Sequence, residues 1–162
     1  MKENKAKKIL ISLIIILLLY LTINYFFMYF RVVNDSMSPN LNTEDYIIAI
    51  KSNSYESGDI IVFEQEDKVL IKRIIASSNE KVNIDQNGNV FVNDEFLYEP
   101  YIQSKSIEPY NIKFPYTVQE NNFFIMGDNR KNSIDSRMHE IETVSENELL
   151  GKYLFKLPII KK

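Results

Sequence analysis

Val69-Leu70-Ile71-Lys72-Arg73-Ile74-Ile75 is a run of bulky apolar residues with two adjacent cations set into it. Branched residues suit a pleated, half-buried surface, so the run reads as a β-strand. Side chains alternate across a strand. Lys72 therefore shares a face with Leu70 and Ile74, and Arg73 shares the other with Ile71 and Ile75. By periodicity alone, Lys72 is an edge-strand lysine whose stem is covered and whose ammonium reaches water. Buried instead, it would give up its proton more readily, because desolvation disfavours the charged form.

The same texture extends in both directions. Tyr46-Ile47-Ile48-Ala49-Ile50 and Ile60-Ile61-Val62-Phe63 precede it, and Phe123-Phe124-Ile125-Met126 and Lys152-Tyr153-Leu154-Phe155 follow. All read as strands. Lys81 to Asp85 and Asn89 to Asn93 alternate with period two around Gln86-Asn87-Gly88. Asn-Gly between alternating runs is a strong hairpin signal. Ser145 to Leu149 alone reads as a helical turn, with Ser145 placed to cap it and Glu148 at capping-box spacing. The expected class is mostly β. Residues from about 77 to 121, which carry the hairpin and Pro100, Pro109 and Pro115, are expected to form an inserted subdomain or flap.

Ahead of the β pattern lies an apolar run from Ile9 to about Phe30, interrupted only by Ser12, Thr22 and Asn24. About 20 apolar residues span a bilayer as a helix. Lys2, Lys5, Lys7 and Lys8 precede the run, which predicts a cytoplasmic N-terminus and a body on the extracytoplasmic face. Tyr25, Phe26, Phe27, Tyr29 and Phe30 gather at its far end as an aromatic belt would. A cleaved secretory signal has a shorter apolar core followed by small residues; here bulky aromatics and Arg31 follow. The expected division is an anchor over 1–30 and one domain over 31–162. The tail 157–162 is too short to span a membrane.

The body keeps roughly 130 residues, enough for a core without staples. The 162-residue chain has no cysteine and one histidine, which excludes disulfides, thiolate chemistry and a multi-histidine metal site. A net charge of −3 gives no nucleic-acid footprint. The carboxylates are scattered without a ligand pattern, so neither metal nor organic cofactor is expected.

Val33-Asn34-Asp35-Ser36-Met37-Ser38-Pro39-Asn40-Leu41 begins just where the apolar run ends, which places Ser36 within a few residues of a membrane surface. A serine hydroxyl attacks only when a base takes its proton. Lys72 and His139 are the candidate bases; a surface histidine is the simpler reading of His139. A third stretch, Met126-Gly127-Asp128-Asn129-Arg130-Lys131-Asn132-Ser133-Ile134-Asp135-Ser136-Arg137, follows a strand and is dense in turn formers. Any one of its residues reads as part of a solvated turn.

In order, these stretches resemble the bacterial type I signal peptidases, membrane-anchored Ser-Lys proteases. The resemblance rests on the anchor, Ser36-Met37-Ser38-Pro39, Gly58-Asp59-Ile60-Ile61-Val62, Lys72-Arg73-Ile74 and the run from Gly127 to Arg137. It implies a β-rich catalytic domain behind a single transmembrane helix, and removal of signal peptides from exported preproteins at a bilayer. It further implies Ser36 as nucleophile and Lys72 as general base. Ser133 would orient the Lys72 amine, and ion pairs of Asp135, Arg137, Asp128 and Arg73 would brace the site. Met37 would line the substrate cleft, and the Ser36 N–H would donate to the oxyanion. Asn34 would either donate there too or only shape the turn. The chain departs from the family pattern at Asn34, at Asn40, at Ala76 to Glu80 and at Glu140. Two other readings stand beside this one: a catalytically silent relative acting in pilus or surface-protein assembly, which would lack the dyad, and a peptidase dedicated to a few substrates.

Overall fold

The computed structural model describes residues 2–106 and 110–158; Pro109 and the tail residues 159–162 lie outside them. Helix α1 spans Lys2–Phe26, and its segment Lys7–Phe26 has a mean hydropathy of 2.5 with none of it buried against the rest of the chain. A helix apolar on every side and uncovered by protein suits lipid rather than a core.

The strands are β1 Phe27–Arg31, β2 Tyr46–Ile50, β3 Ile60–Gln65, β4 Lys68–Ala76, β5 Lys81–Ile84, β6 Val90–Val92, β7 Glu95–Phe96, β8 Tyr116–Thr117, β9 Asn122–Met126, β10 Val144–Ser145 and β11 Leu149–Lys156. The apolar run thus divides differently from the sequence expectation. The helix stops at Phe26, so Tyr25 and Phe26 of the expected belt end it, whereas Phe27, Tyr29 and Phe30 lie in β1. Phe27 pairs with Ile50 and Arg31 with Tyr46. The alternating exposure of β1 supplies the reason: one face packs Phe30 onto a buried cluster while Phe27 and Tyr29 point outward. Periodicity over five residues at the end of a 25-residue helix is too brief to see in the sequence. β7, β8 and β10, each of two residues, were below the same threshold.

Seven strands form one antiparallel sheet in the order β1-β2-β11-β3-β4-β9-β10, and four form a smaller one, β7-β6-β5-β8. The central strand β3 is buried on both faces. Ile60 and Val62 join a cluster with Val32, Met37, Leu41, Ile47 and Ala49. Ile61 and Phe63 join Ile74, Phe123, Ile125 and Val144 on the other face. A third cluster joins Ile75, Phe124 and Met126 of the large sheet to Val82, Ile84 and Val90 of the small one. The β5–β6 hairpin closes where Asn-Gly stands: Gly88 has φ +73°, and a Cβ there would lie 2.6 Å from the Ser106 carbonyl oxygen. The expected capped turn is also present. Residues 146–148 form a 3-10 turn, with Ser145 and Glu148 bonded reciprocally as a capping box.

Candidate active site

The loop between β1 and β2 carries Ser36. It is anchored at both ends by bonds from Val32 N–H to the Asp45 carbonyl and from Glu44 N–H to the Val32 carbonyl. Inside it, the Asp35 carboxylate accepts from the Thr43 N–H and hydroxyl, which holds its pKa below the usual carboxylate value. Met37 and Leu41 are buried in the core cluster beneath. A loop with two buried apolar anchors and a closed backbone ladder holds its serine in one place.

Lys72 meets that serine from β4. Its Nζ lies 2.7 Å from Ser36 Oγ. Leu70 and Ile74 flank it on its own face, and Ile61 sits opposite it on β3. Lys72 is 3% exposed and its amine faces Ser36, so the edge-strand reading of Lys72, with its ammonium in water, is replaced. Burial lowers its pKa from the ordinary 10.5 to about 8, opposed by the carboxylates of Asp135 and Asp128 and assisted by the charge of Arg137. A lysine so placed can take a proton near neutral pH.

The segment after β9 fastens the two parts together. The Ser36 carbonyl accepts from the Asn129 N–H, and Asn129 Nδ2 donates to the Asp35 carbonyl. A Cβ on Gly127 would stand 2.5 Å from the Ser36 carbonyl oxygen and 2.3 Å from Ser133 Oγ. Only glycine lets these chains approach so closely. Asp135 accepts from the Gly127 N–H and from two nitrogens of the Arg137 guanidinium. Asp128 accepts from Arg73 Nε and its terminal nitrogen at 2.8 and 2.7 Å. Asp135 is thus ion-paired with Arg137, and Asp128 with Arg73.

Ser133 behaves differently from the expectation. Its hydroxyl is buried with no hydrogen-bond partner among the described residues, so it does not bond the Lys72 amine, which is directed at Ser36 instead. It packs against Gly127 and lines the same cleft as Ser36 and Lys72. His139 is exposed, and its backbone N–H donates to Asn111 Oδ1.

Several positioning residues were not visible as such in the sequence. Asn40, noted there only as a departure, donates to Asp128 Oδ2 at 2.7 Å and to the Tyr101 carbonyl at 2.8 Å. The Tyr101 ring lies 4.1 Å beneath the Arg73 guanidinium; burial, and then Glu99, raises its phenol pKa. Glu99 forms a buried fork with Arg130. Glu99 and Tyr101 belong to the irregular segment between β7 and β8, 28 or more residues from Arg73, Arg130 and Asn40, and no local pattern marks them.

Two depressions meet at Ser36. One, of about 440 Å³, is lined by Ser36, Lys72, Asn34, Leu70, Ser133 and Ile134 among others. The other, of about 150 Å³, lies between residues 30–37 and Val69 to Ile71 of β4. Beyond Arg73, which pairs with Met126, that part of β4 has no β9 neighbour.

The signal peptidase, peptidase S26, family profile matches residues 5–157. Signal peptidase I S of Bacillus subtilis is 31% identical over 144 residues, covering 82% of this chain and 76% of the relative. A probable signal peptidase I-2 of Synechocystis is 36% identical over 132 residues, covering 74% of this chain and 57% of the relative. The crystal structure of a signal peptidase I from Enterococcus faecalis superposes with a TM-score of 0.51 at 26% identity, covering 62% of this chain and 97% of the other.

Proposed function

This chain belongs to the signal peptidase family, peptidase S26, and on that footing we propose that Ser36 and Lys72 carry its chemistry. The protein is a serine endopeptidase that removes signal peptides. The observation that supports the assignment of its residues is the 2.7 Å contact between the Lys72 amine and the Ser36 hydroxyl, with the amine withdrawn from water.

Neutral Lys72 takes the proton of Ser36 Oγ as that oxygen bonds to the scissile carbonyl carbon. The Ser36 N–H donates to the oxygen that becomes negative. Lys72 then returns the proton to the leaving amine as the C–N bond breaks, which leaves an acyl-enzyme. A water deprotonated by Lys72 attacks the ester, and Ser36 is regenerated. The substrate runs extended beside Val69 to Ile71, pairing with that open edge. Met37, buried under the adjoining depression, limits what fits there to small side chains. Asn34 stands where the two depressions meet and belongs to the substrate-binding wall. Asp128, Arg73, Asp135 and Arg137 hold the three chain segments in register, and Ser133 closes the cleft wall.

The single helix fits a membrane anchor. The lysines before it favour a cytoplasmic N-terminus with the site outside, in the plane where signal peptides are embedded. An assembly factor without activity would have no use for an intact dyad.

The test is cleavage of a detergent-solubilised preprotein by wild type, Ser36→Ala and Lys72→Ala. Wild type is expected to cut once at the end of the signal sequence, with both folded variants inactive. Full activity in Lys72→Ala would overturn the base assignment. Binding without cleavage by wild type would overturn the peptidase reading.

A further inference from the structure

Resting on the assignment of Ser36 as nucleophile, we propose that Asn34 is an internal competitor for the oxyanion donor. Its carboxamide oxygen occupies, in the free enzyme, the place that the substrate's carbonyl oxygen must take, and substrate binding displaces it.

Asn34 Oδ1 accepts the Ser36 N–H at 3.1 Å. A donor in an oxyanion hole meets its oxygen at 2.7–3.1 Å, so the side-chain oxygen already stands at that separation. The N–H has one hydrogen and cannot bond both oxygens well. Chemically the occupant imitates the substrate, since both are amide carbonyls. The remaining contacts of Ser36 come from the rigid frame: Lys72 reaches its Oγ, and Asn129 donates to its carbonyl. Asn34 is different. It is exposed and lines both depressions. The bond to Ser36 is the one hydrogen bond its side chain makes among the described residues. It is therefore the part of the site that can swing away without breaking the frame. Glycine at this position would leave the N–H open to water.

The competition lowers affinity for any ligand that puts an oxygen on that N–H. A neutral hydrogen bond has a net worth near 1 kcal/mol, so the effect is about fivefold. A peptide aldehyde ending in a small residue is a suitable probe. Ser36 Oγ bonds to the aldehyde carbon, its proton passes to Lys72 Nζ, and the former carbonyl oxygen turns to the Ser36 N–H. The matching peptide alcohol fills the same groove but forms no such adduct. Inhibition constants of both would be measured on detergent-solubilised full-length wild type, Asn34→Ala and Asn34→Asp, with thermal unfolding to confirm that each is folded.

Asn34→Ala is expected to raise the affinity for the aldehyde relative to that for the alcohol about fivefold over wild type. Asn34→Asp, which keeps the acceptor and adds a negative charge, is expected to bind the aldehyde more weakly than wild type. Weaker aldehyde binding by Asn34→Ala would overturn the proposal and make Asn34 an oxyanion donor. An equal change for both ligands would overturn it in favour of a role in shaping the turn. Failure of the nucleophile assignment is seen separately, as undiminished aldehyde affinity in Ser36→Ala.

Discussion

At the scale of single residues, the role proposed for Lys72 as base ties rate and stability to one buried amine. Only its neutral form can accept the Ser36 proton. With a pKa of about 8, about a tenth of the enzyme is ready at pH 7. The expected kcat/KM rises nearly tenfold per pH unit below 8 and levels off above it; a profile that first rises near pH 10.4 would contradict this. The same burial burdens the fold. Below pH 8 the lysine is charged in both the folded and unfolded states, and the folded state bears the desolvation. The displacement from 10.5 to about 8 corresponds to about 3 kcal/mol. Lys72→Met removes that burden and loses a hydrogen bond of about 1 kcal/mol. The variant should therefore be inactive yet about 2 kcal/mol more stable at pH 7, by denaturant titration. The advantage should shrink as pH rises from 8 towards 10.5, where the folded wild type is already neutral and the unfolded chain loses its proton too. Gly127 acts sterically. In Gly127→Ala the new Cβ meets backbone at Ser36, which cannot yield as a flexible side chain would. Displacing Ser36, the proposed nucleophile, by a fraction of an ångström is expected to lower kcat about 100-fold, measured beside unfolding to separate it from loss of fold.

At the scale of elements, the site is three segments tied together: the loop bearing Ser36, strand β4, and the turn after β9. Arg73 and Asp128 are the knot between the last two, and Asn40 brings in the first. The Asp128 side chain is fully buried and that of Arg73 is 12% exposed. Breaking such a pair leaves an uncompensated charge, which costs about 3 kcal/mol. Asp128→Asn should therefore lower the unfolding free energy by that amount, by denaturant titration, and reduce kcat/KM as well. Retained stability with lost activity would place Asp128 in the chemistry itself. The strands that make these segments were legible from their branched residues, because local texture reports local burial. The contacts between them were not, because Asn40 and Asp128 are 88 positions apart.

At the scale of the whole molecule, the boundary between anchor and body matters more than the composition suggests. A chain beginning at Phe27 keeps β1 on the edge of the large sheet. A chain beginning at Arg31, close to the boundary read from hydropathy, loses Phe30 from the buried cluster and bares the edge of β2. The first is expected to be monomeric by size-exclusion chromatography and the second to aggregate, with a Tm lower by about 10 °C. The first should also cut a soluble signal-peptide substrate at the full-length rate. On a preprotein embedded in vesicles it should be slower by about 100-fold, because the helix no longer confines enzyme and substrate to one surface. Equal rates on vesicles would show that the anchor contributes nothing to encounter.

The sequence by itself determined the long apolar helix, the mostly β body, the Asn-Gly hairpin, the capped turn at Ser145 and the ordered stretches around Ser36, Lys72 and Gly127 to Arg137. Each of these is a property of near neighbours along the chain: hydropathy, alternation, turn chemistry and motif spacing. Only the tertiary structure decided that the outer end of the apolar run is a strand, that Lys72 is dry and aimed at Ser36, and that Ser133 is not its partner. It also revealed that Asn40, Glu99, Tyr101 and Arg130 brace the site and that Asn34 sits on the Ser36 N–H. Desolvation and hydrogen-bond choice depend on what remote segments bring to a point in space. No window of sequence contains that information.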